Sequence, residues 1–279
     1  MTIPVTALTV SDTRTRFGRM PDLASRARTP SVPATTWADT TSQTLARTRI
    51  SGAVCRSSRV RALATASHSI ASTFGYEDGE NIPLDLHLDM VGRIVAAVDL
   101  PVTMDFEAGY GDAGETARRA IEIGVVGGNL EDRMRPLDEA VAAVEAVLAA
   151  GRDAGIDFVL NARTDALVRA PKGADRGELV REAIRRGQAF LAAGAPVVFV
   201  PGAITAEEIG ALVDGLGPQK LSVISVPGRS LPVSELQALG VARVSTGPFT
   251  QRVALTALQD AVAAVVAGGT LPEGTRALN

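Results

Sequence analysis

Hydrophobic and polar positions alternate with two distinct periods from residue 60 onward. Short apolar, β-branched runs occur at Val60–Ala66, Pro101–Phe106, Gly128–Leu130, Asp157–Asn161, Pro196–Val200, Leu221–Val226 and Arg243–Thr246. Between them the spacing becomes helical. Leu84, Leu88, Val91, Val95 and Val98 step by four and three, as do Leu137, Val141, Val144 and Leu148. Leu255, Leu258, Val262 and Val265 mark a last helix before Gly268-Gly269. Such steps put apolar side chains on one helix face, and a Gly pair is a stop signal. Strands that read as continuous apolar runs are covered on both faces, as in a parallel sheet with helical crossovers. Seven strand–helix units are legible after residue 60. A (β/α)8 barrel needs eight strands and about 250 residues. The pattern therefore predicts an α/β, TIM-like barrel whose first βα unit is weak or disrupted and must lie within residues 1–59. A doubly wound open sheet is the alternative.

Composition divides the chain at the same place. Of 279 residues with net charge −3, residues 1–61 hold ten Arg, three Asp and no Glu, a local charge of +7. The remainder holds 18 basic against 28 acidic residues, a charge of −10. The first part is rich in Thr and Ser, whereas the rest can bury a large single core. We expect an atypical Arg/Ser/Thr-rich segment over 1–59 and a barrel domain over 60–279. A single cysteine, Cys55, excludes a disulfide scaffold or a Cys-rich zinc module. The longest uncharged stretch, Gly187–Ala206, is broken by Gly194-Ala195-Pro196 and Pro201-Gly202, which suits a helix, a turn and a strand rather than a membrane span. An acidic body with few aromatics argues against a nucleic-acid partner.

The unusual polar residues fall at predicted strand ends. Asp105 and Glu107 close the second run and can project to the same side, followed by the turn Gly109-Tyr110-Gly111-Asp112. Gly109 and Gly111 suit a tight turn better than a phosphate cradle. The next strands end in Asn129-Leu130-Glu131-Asp132-Arg133 and Asn161-Ala162-Arg163-Thr164-Asp165. Converging carboxylates repel unless a cation lies between them, and a hard Mg²⁺ (or Mn²⁺) suits oxygen ligands with retained waters. The competing account pairs these acids with nearby Arg or with a helix start. Arg163 suits a two-pronged grip on a substrate carboxylate, or equally an ion pair with Asp165 or Glu131.

At these residues the chain resembles the isocitrate lyase/phosphoenolpyruvate mutase superfamily. The resemblance rests on Pro101-Val-Thr-Met-Asp-Phe-Glu-Ala-Gly-Tyr-Gly111, Glu115-Thr-Ala-Arg-Arg119 and Gly127-Gly-Asn-Leu-Glu-Asp132. Ala64-Thr-Ala-Ser67, Phe74-Gly-Tyr-Glu-Asp-Gly-Glu80, Asn161-Ala-Arg-Thr-Asp165, Phe199-Val-Pro-Gly202 and Gly240-Val-Ala-Arg-Val-Ser-Thr-Gly247 support it, over roughly residues 60 to 268. It implies an α/β barrel, a homo-oligomer with an exchanged last helix, Mg²⁺, and a small 2-oxo or related carboxylic acid substrate. It implies C–C or P–C bond chemistry through a metal-stabilised enolate. By position it implies Asp105, Glu107 and Glu131 as metal-site acids, directly or through water, and Asp78 as a further acid near the metal. Arg163 would bind the substrate carboxylate, and Ser67 would contact substrate.

The chain also departs from that family. The lyases' Lys-Lys-Cys-Gly-His loop is missing, since Glu131-Asp132-Arg133 runs directly into Met134-Arg135-Pro136-Leu137. The mutases' Lys-x-Asn gating loop is missing as well, which argues against chemistry needing strict water exclusion. The expected function is therefore a cytoplasmic, Mg²⁺-dependent lyase, most simply for decarboxylation or hydrolytic C–C cleavage of an oxaloacetate-like acid. Phosphonopyruvate hydrolase or mutase-like P–C chemistry is the alternative, and an inactive or ligand-binding barrel remnant is a third. His68, beside Ser67, suits a structural role better than proton donation. Only Thr35-Thr36-Trp37 with Asp39 faintly resembles the family's first unit. The segment before Val60 reads as an organellar targeting segment or, preferably, a local reading-frame disruption in an Arg-rich, Lys-poor chain.

Overall fold

The computed structural model describes residues 62–275 together with the short strand at Ala7–Leu8. The expectations for the 1–59 segment, its targeting or frame-disrupted character included, lie outside the described residues except for that strand. In chain order the elements are β1 (Ala7–Leu8), β2 (Leu63–Ala64), α1 (Ser67–Thr73), α2 (Leu84–Ala96), β3 (Val102–Asp105) and α3 (Ala113–Glu122). They continue with β4 (Gly127–Glu131), α4 (Leu137–Asp153), β5 (Val159–Arg163), α5 (Arg176–Ala192), β6 (Val197–Val200) and α6 (Ala206–Leu216). The last are β7 (Leu221–Ile224), α7 (Val233–Ala238), β8 (Arg243–Ser245) and α8 (Phe249–Val266).

Strands β2 to β8 pair in parallel and in sequence order, with helices between them, while β1 adds antiparallel to β2. The seven parallel strands are those anticipated from the apolar runs, and they form a curled, TIM-barrel-like α/β sheet. β6 explains the continuous apolar signature, because all four of its residues are buried. Phe106 stacks on Phe158 at 5.9 Å, and Phe190, Leu160, Leu212 and Leu221 fill the layer between sheet and helices. The 187–206 uncharged stretch resolves into the end of α5, a turn and β6.

Two local features set the shape around β4. A side chain at Gly127 would lie 2.5 Å from the Val159 carbonyl oxygen, so only glycine lets these strands approach. At Gly109, with φ of +103°, a Cβ would fall 2.6 Å from Ala113, so the turn into α3 also requires glycine. Three of the described helices start on a side-chain cap: Asp112 accepts from the Glu115 N–H, Asp175 from the Glu178 N–H, and Thr205 with Glu208 forms a capping box. Helix α8 differs from the others. It is amphipathic by spacing, as anticipated, yet none of its residues is buried, and Val253, Leu255, Leu258, Val262 and Val265 are exposed.

Candidate active site

The parallel register brings the C-terminal ends of three strands together. Asp105 ends β3, Glu131 ends β4 and Arg163 ends β5, with Glu131 directly opposite Arg163. Asp105 is tightly positioned. Its Oδ2 accepts from the Ser67 N–H at 3.2 Å and the Ser67 hydroxyl at 3.0 Å. Its Oδ1 accepts from the Glu107 N–H at 3.4 Å, and its own N–H donates to the Thr65 hydroxyl at 3.1 Å. Ser67, expected to contact substrate, directs its N–H and its hydroxyl at Asp105 and so helps to hold that carboxylate.

Glu107 is 4% exposed and accepts from Tyr110 Oη at 3.3 Å and from Arg133 at 3.3 Å. Burial, then the charges of Asp105, Asp78, Glu131 and Glu80, pushes its pKa up to about 8. Glu131 is raised too, chiefly by burial and against the pull of Arg163 and Arg133. Its carboxylate pairs with Arg133 at 2.7 Å and Arg163 at 3.0 Å. Arg163 also donates from Nε to buried Asp165 at 2.7 Å, so it makes both ion pairs weighed against a substrate-binding role. Burial opposes its charge, but Glu131, Asp165 and Asp105 more than offset this and raise its pKa. Its Nη1 meets Glu131 and its Nε meets Asp165, and the side chain keeps a quarter of its surface exposed. Asp78 sits on the exposed loop after α1, near enough for its charge to bear on Glu107 and on His87.

The expected convergence is partial. Asp105 and Glu107 adjoin, and Glu107 and Glu131 share one guanidinium. Yet among the described residues no three His, Cys or acidic groups are gathered so as to enclose a metal by themselves. Arginine pairing, the competing account of these acids, holds for Glu107 and Glu131. The donor set still suits a hard dication. It offers oxygen only, and Mg²⁺ is usually held by one or two carboxylates while keeping several waters. Asp105, already oriented by Ser67, would be the direct ligand, with Glu107 and Glu131 reached through water.

Several site residues were not anticipated. Glu80 accepts from the Ala108 and Tyr110 N–H groups at 3.1 and 2.6 Å and so clamps the loop after β3. Arg133, read in the sequence only as a departure from a lid motif, pairs with three acids. Arg243 is half-buried and donates to Asn129 Oδ1 at 3.2 Å, where Asn161 also donates at 2.6 Å. Burial lowers the Arg243 pKa to about 10 against the pull of Asp105. His87 is fully buried beside the Tyr110 hydroxyl at 2.8 Å, and burial lowers its pKa to about 4. His68 lies 3.2 Å from an Arg252 nitrogen. Left-handed, non-glycine backbone concentrates here, at Glu80, Glu107, Tyr110, Arg133 and Met134, and such strain accumulates at functional sites. The string Gly109-Tyr110-Gly111-Asp112-Ala113-Gly114 has the spacing of a dinucleotide-binding turn, but Asp112 caps the helix it opens. A carboxylate there repels the phosphate that such a turn would cradle.

The raised Glu107 pKa has a measurable consequence in chelator. Its folded pKa lies above its unfolded value, so between about pH 4.5 and 8 the folded state binds more protons. Stability should fall as pH rises through that window, and Glu107→Gln should flatten the slope. Urea midpoints taken from pH 5 to 9 check this, and equal slopes in the two proteins would contradict it.

Comparison with known proteins identifies the family. The family model for phosphoenolpyruvate phosphomutase matches residues 26–266. An uncharacterised protein of Mycobacterium tuberculosis is 31% identical over 214 residues, 76% of this chain and 79% of that one. Oxaloacetate decarboxylase of Paraburkholderia xenovorans is 30% identical over 196 residues, 64% of this chain and 62% of that protein. The crystal structure of a phosphonomutase-like protein from Burkholderia cenocepacia superposes with a TM-score of 0.71 at 37% identity, covering 81% of this chain and 90% of that one. Oxaloacetate acetylhydrolase bound to oxalate gives 0.69 at 27% identity, covering 81% and 82%. On the extent of the family match and the fold it shares, the chain belongs to the phosphoenolpyruvate phosphomutase family, within the PEP mutase/isocitrate lyase superfamily.

Proposed function

We propose that this protein is a divalent-metal-dependent lyase acting on a small 2-oxo carboxylic acid through an enolate, with oxaloacetate-type decarboxylation or C–C cleavage as its reaction. The observation that carries this reading is the meeting of Asp105, Glu107 and Glu131 with Arg163 at one end of the parallel sheet. Barrel enzymes place their chemistry at that face. Similarity to an oxaloacetate decarboxylase and to an oxaloacetate acetylhydrolase supports the substrate class. Mg²⁺ (or Mn²⁺), when bound, supplies a Lewis acid for the charge that develops on the 2-oxo oxygen.

The chain's own residues do the rest. Arg163, a quarter exposed at the end of β5, holds the substrate carboxylate. Ser67 fixes Asp105. Asp78, on the exposed loop after α1, acts on substrate from the solvent side in this reading. In decarboxylation the bond to the departing carboxylate breaks, CO₂ leaves and its electron pair forms the enolate. A proton taken up at carbon then yields pyruvate. The β4–α4 connection spans only residues 132–136, too short for a long lid, which favours chemistry that tolerates water.

Residues 60–279 are the catalytic unit in this reading. The apolar residues exposed along α8 favour a homo-oligomer formed through that helix. No described helix is long and apolar enough to cross a membrane, in keeping with a cytoplasmic enzyme.

The test is pyruvate release from oxaloacetate with Mg²⁺ and with chelator, beside 2-methylisocitrate and phosphonopyruvate. Metal-dependent pyruvate release from oxaloacetate supports the reading. Phosphate release from phosphonopyruvate alone would replace it with P–C chemistry. Stabilisation by Mg²⁺ and oxalate without turnover of any substrate would replace it with a binding barrel.

A further inference from the structure

We propose that Arg133 is a built-in counter-cation. It holds the carboxylate cluster together in the metal-free protein and competes with the divalent ion, so that it sets metal affinity. The inference rests on the metal-dependent reading above and concerns a residue which that reading does not use.

Three nitrogens of one guanidinium reach three acids from three separate segments. Nη1 meets Glu80 of the loop after α1 at 3.0 Å, Nη2 meets Glu107 beyond β3 at 3.3 Å, and Nε meets Glu131 at the end of β4 at 2.7 Å. A planar guanidinium can span three carboxylates in this way, whereas an ammonium is a point charge. Two of the three acids are the ones that would face a metal, and lone pairs directed at Arg133 are not free for a dication or its waters.

The backbone is arranged to aim the side chain inward. Arg133 and Met134 have φ of 46° and 58°, two successive left-handed residues without glycine. Left-handed backbone brings Cβ too close to the following carbonyl oxygen, so the surroundings must sustain the turn. Asp132 Oδ1 accepts from the Met134 N–H at 3.0 Å, and Arg135 donates to the Asp132, Ala108 and Glu131 carbonyls at 3.0–3.1 Å. An arginine serving only a surface ion pair would need none of this.

The experiment is a Mn²⁺ titration of the full chain, following free Mn²⁺ by electron paramagnetic resonance, on wild type, Arg133→Gln, Arg133→Lys and Asp105→Asn. Melting in chelator and at saturating Mn²⁺ accompanies it. Removing a positive charge beside the ion should tighten Mn²⁺ binding by about tenfold in Arg133→Gln. That variant should melt below wild type in chelator, and the deficit should close with Mn²⁺. Arg133→Lys should tighten binding by about two- to threefold, and it carries the test if the Gln variant does not fold. Mn²⁺ binding only in Arg133→Gln would support the inference in its strongest form. Binding unchanged or weakened in the folded Arg133 variant, with Asp105→Asn still defective, would overturn the inference and leave the metal reading standing. No saturable binding in wild type or in either Arg133 variant would overturn both.

Discussion

Asp105→Asn should reduce metal-dependent pyruvate release from oxaloacetate by at least about 10³-fold, equivalent to roughly 4 kcal/mol of lost transition-state stabilisation. The magnitude follows from what Asp105 does in the proposed site. It is the strand-end acid at β3, with Ser67 supplying two donors to one carboxylate oxygen and Glu107 one to the other. An amide of the same size removes the charge that would face the dication. It also places an NH₂ group against either the two Ser67 donors or the Glu107 N–H. Ground-state folding should change little, because Asp105 is only partly buried. Rates with saturating Mg²⁺, beside a melting curve, provide the measurement. A variant that folds normally and turns over at the wild-type rate would remove Asp105 from the site and end the enolate proposal.

The second large effect lies behind the site. Arg186 and Asp132 form an ion pair at 3.1 Å with side chains 6% and 1% exposed. Arg186 also donates to Glu182 and to the Arg135 carbonyl, while Asp132 Oδ1 accepts from the Met134 and Asp165 N–H groups. Arg186→Met leaves the Asp132 charge buried beside an apolar chain. Breaking one side of a buried pair costs about 3–5 kcal/mol, largely from the abandoned charge. Urea unfolding should show that loss, and Asp132→Asn added to Arg186→Met should recover part of it. A loss under about 1 kcal/mol would mean that water reaches the pair. Because Asp132 also anchors the turn carrying Arg133, the single variant should disturb metal binding as well.

The strands and helices after residue 60 could be read directly, because their periods are local properties. Boundaries moved where a neighbour decided them. The run at Asp157–Asn161 became β5 at Val159–Arg163, its pairing extended by β4 from Gly127 to Glu131. The acids at strand ends were legible for the same reason, since a carboxylate closing an apolar strand stands out without knowing its partners.

Their partners were not legible. Ser67 reaches Asp105 across 38 positions of sequence, and Arg133 reaches Glu80 across 53. No local pattern encodes such meetings, which depend on how β2, β3 and β4 lie side by side. In the sequence Arg133 marked only the end of a strand and the absence of a loop motif. Its inward aim depends on two left-handed residues that periodicity cannot reveal. Arg163 stood evenly between a substrate clamp and an ion pair, and the fold gave it both Glu131 and Asp165.

By itself, then, the sequence determined a parallel α/β sheet from residue 60 and the acids and arginine at its strand ends. Hydrophobic period and strand polarity are written residue by residue. Only the tertiary structure decided which charges meet, that Ser67 donates to Asp105, and that a guanidinium stands between Glu107 and Glu131. Electrostatic contacts act over a few ångströms of space, and the chain brings distant residues to those distances only when the sheet curls.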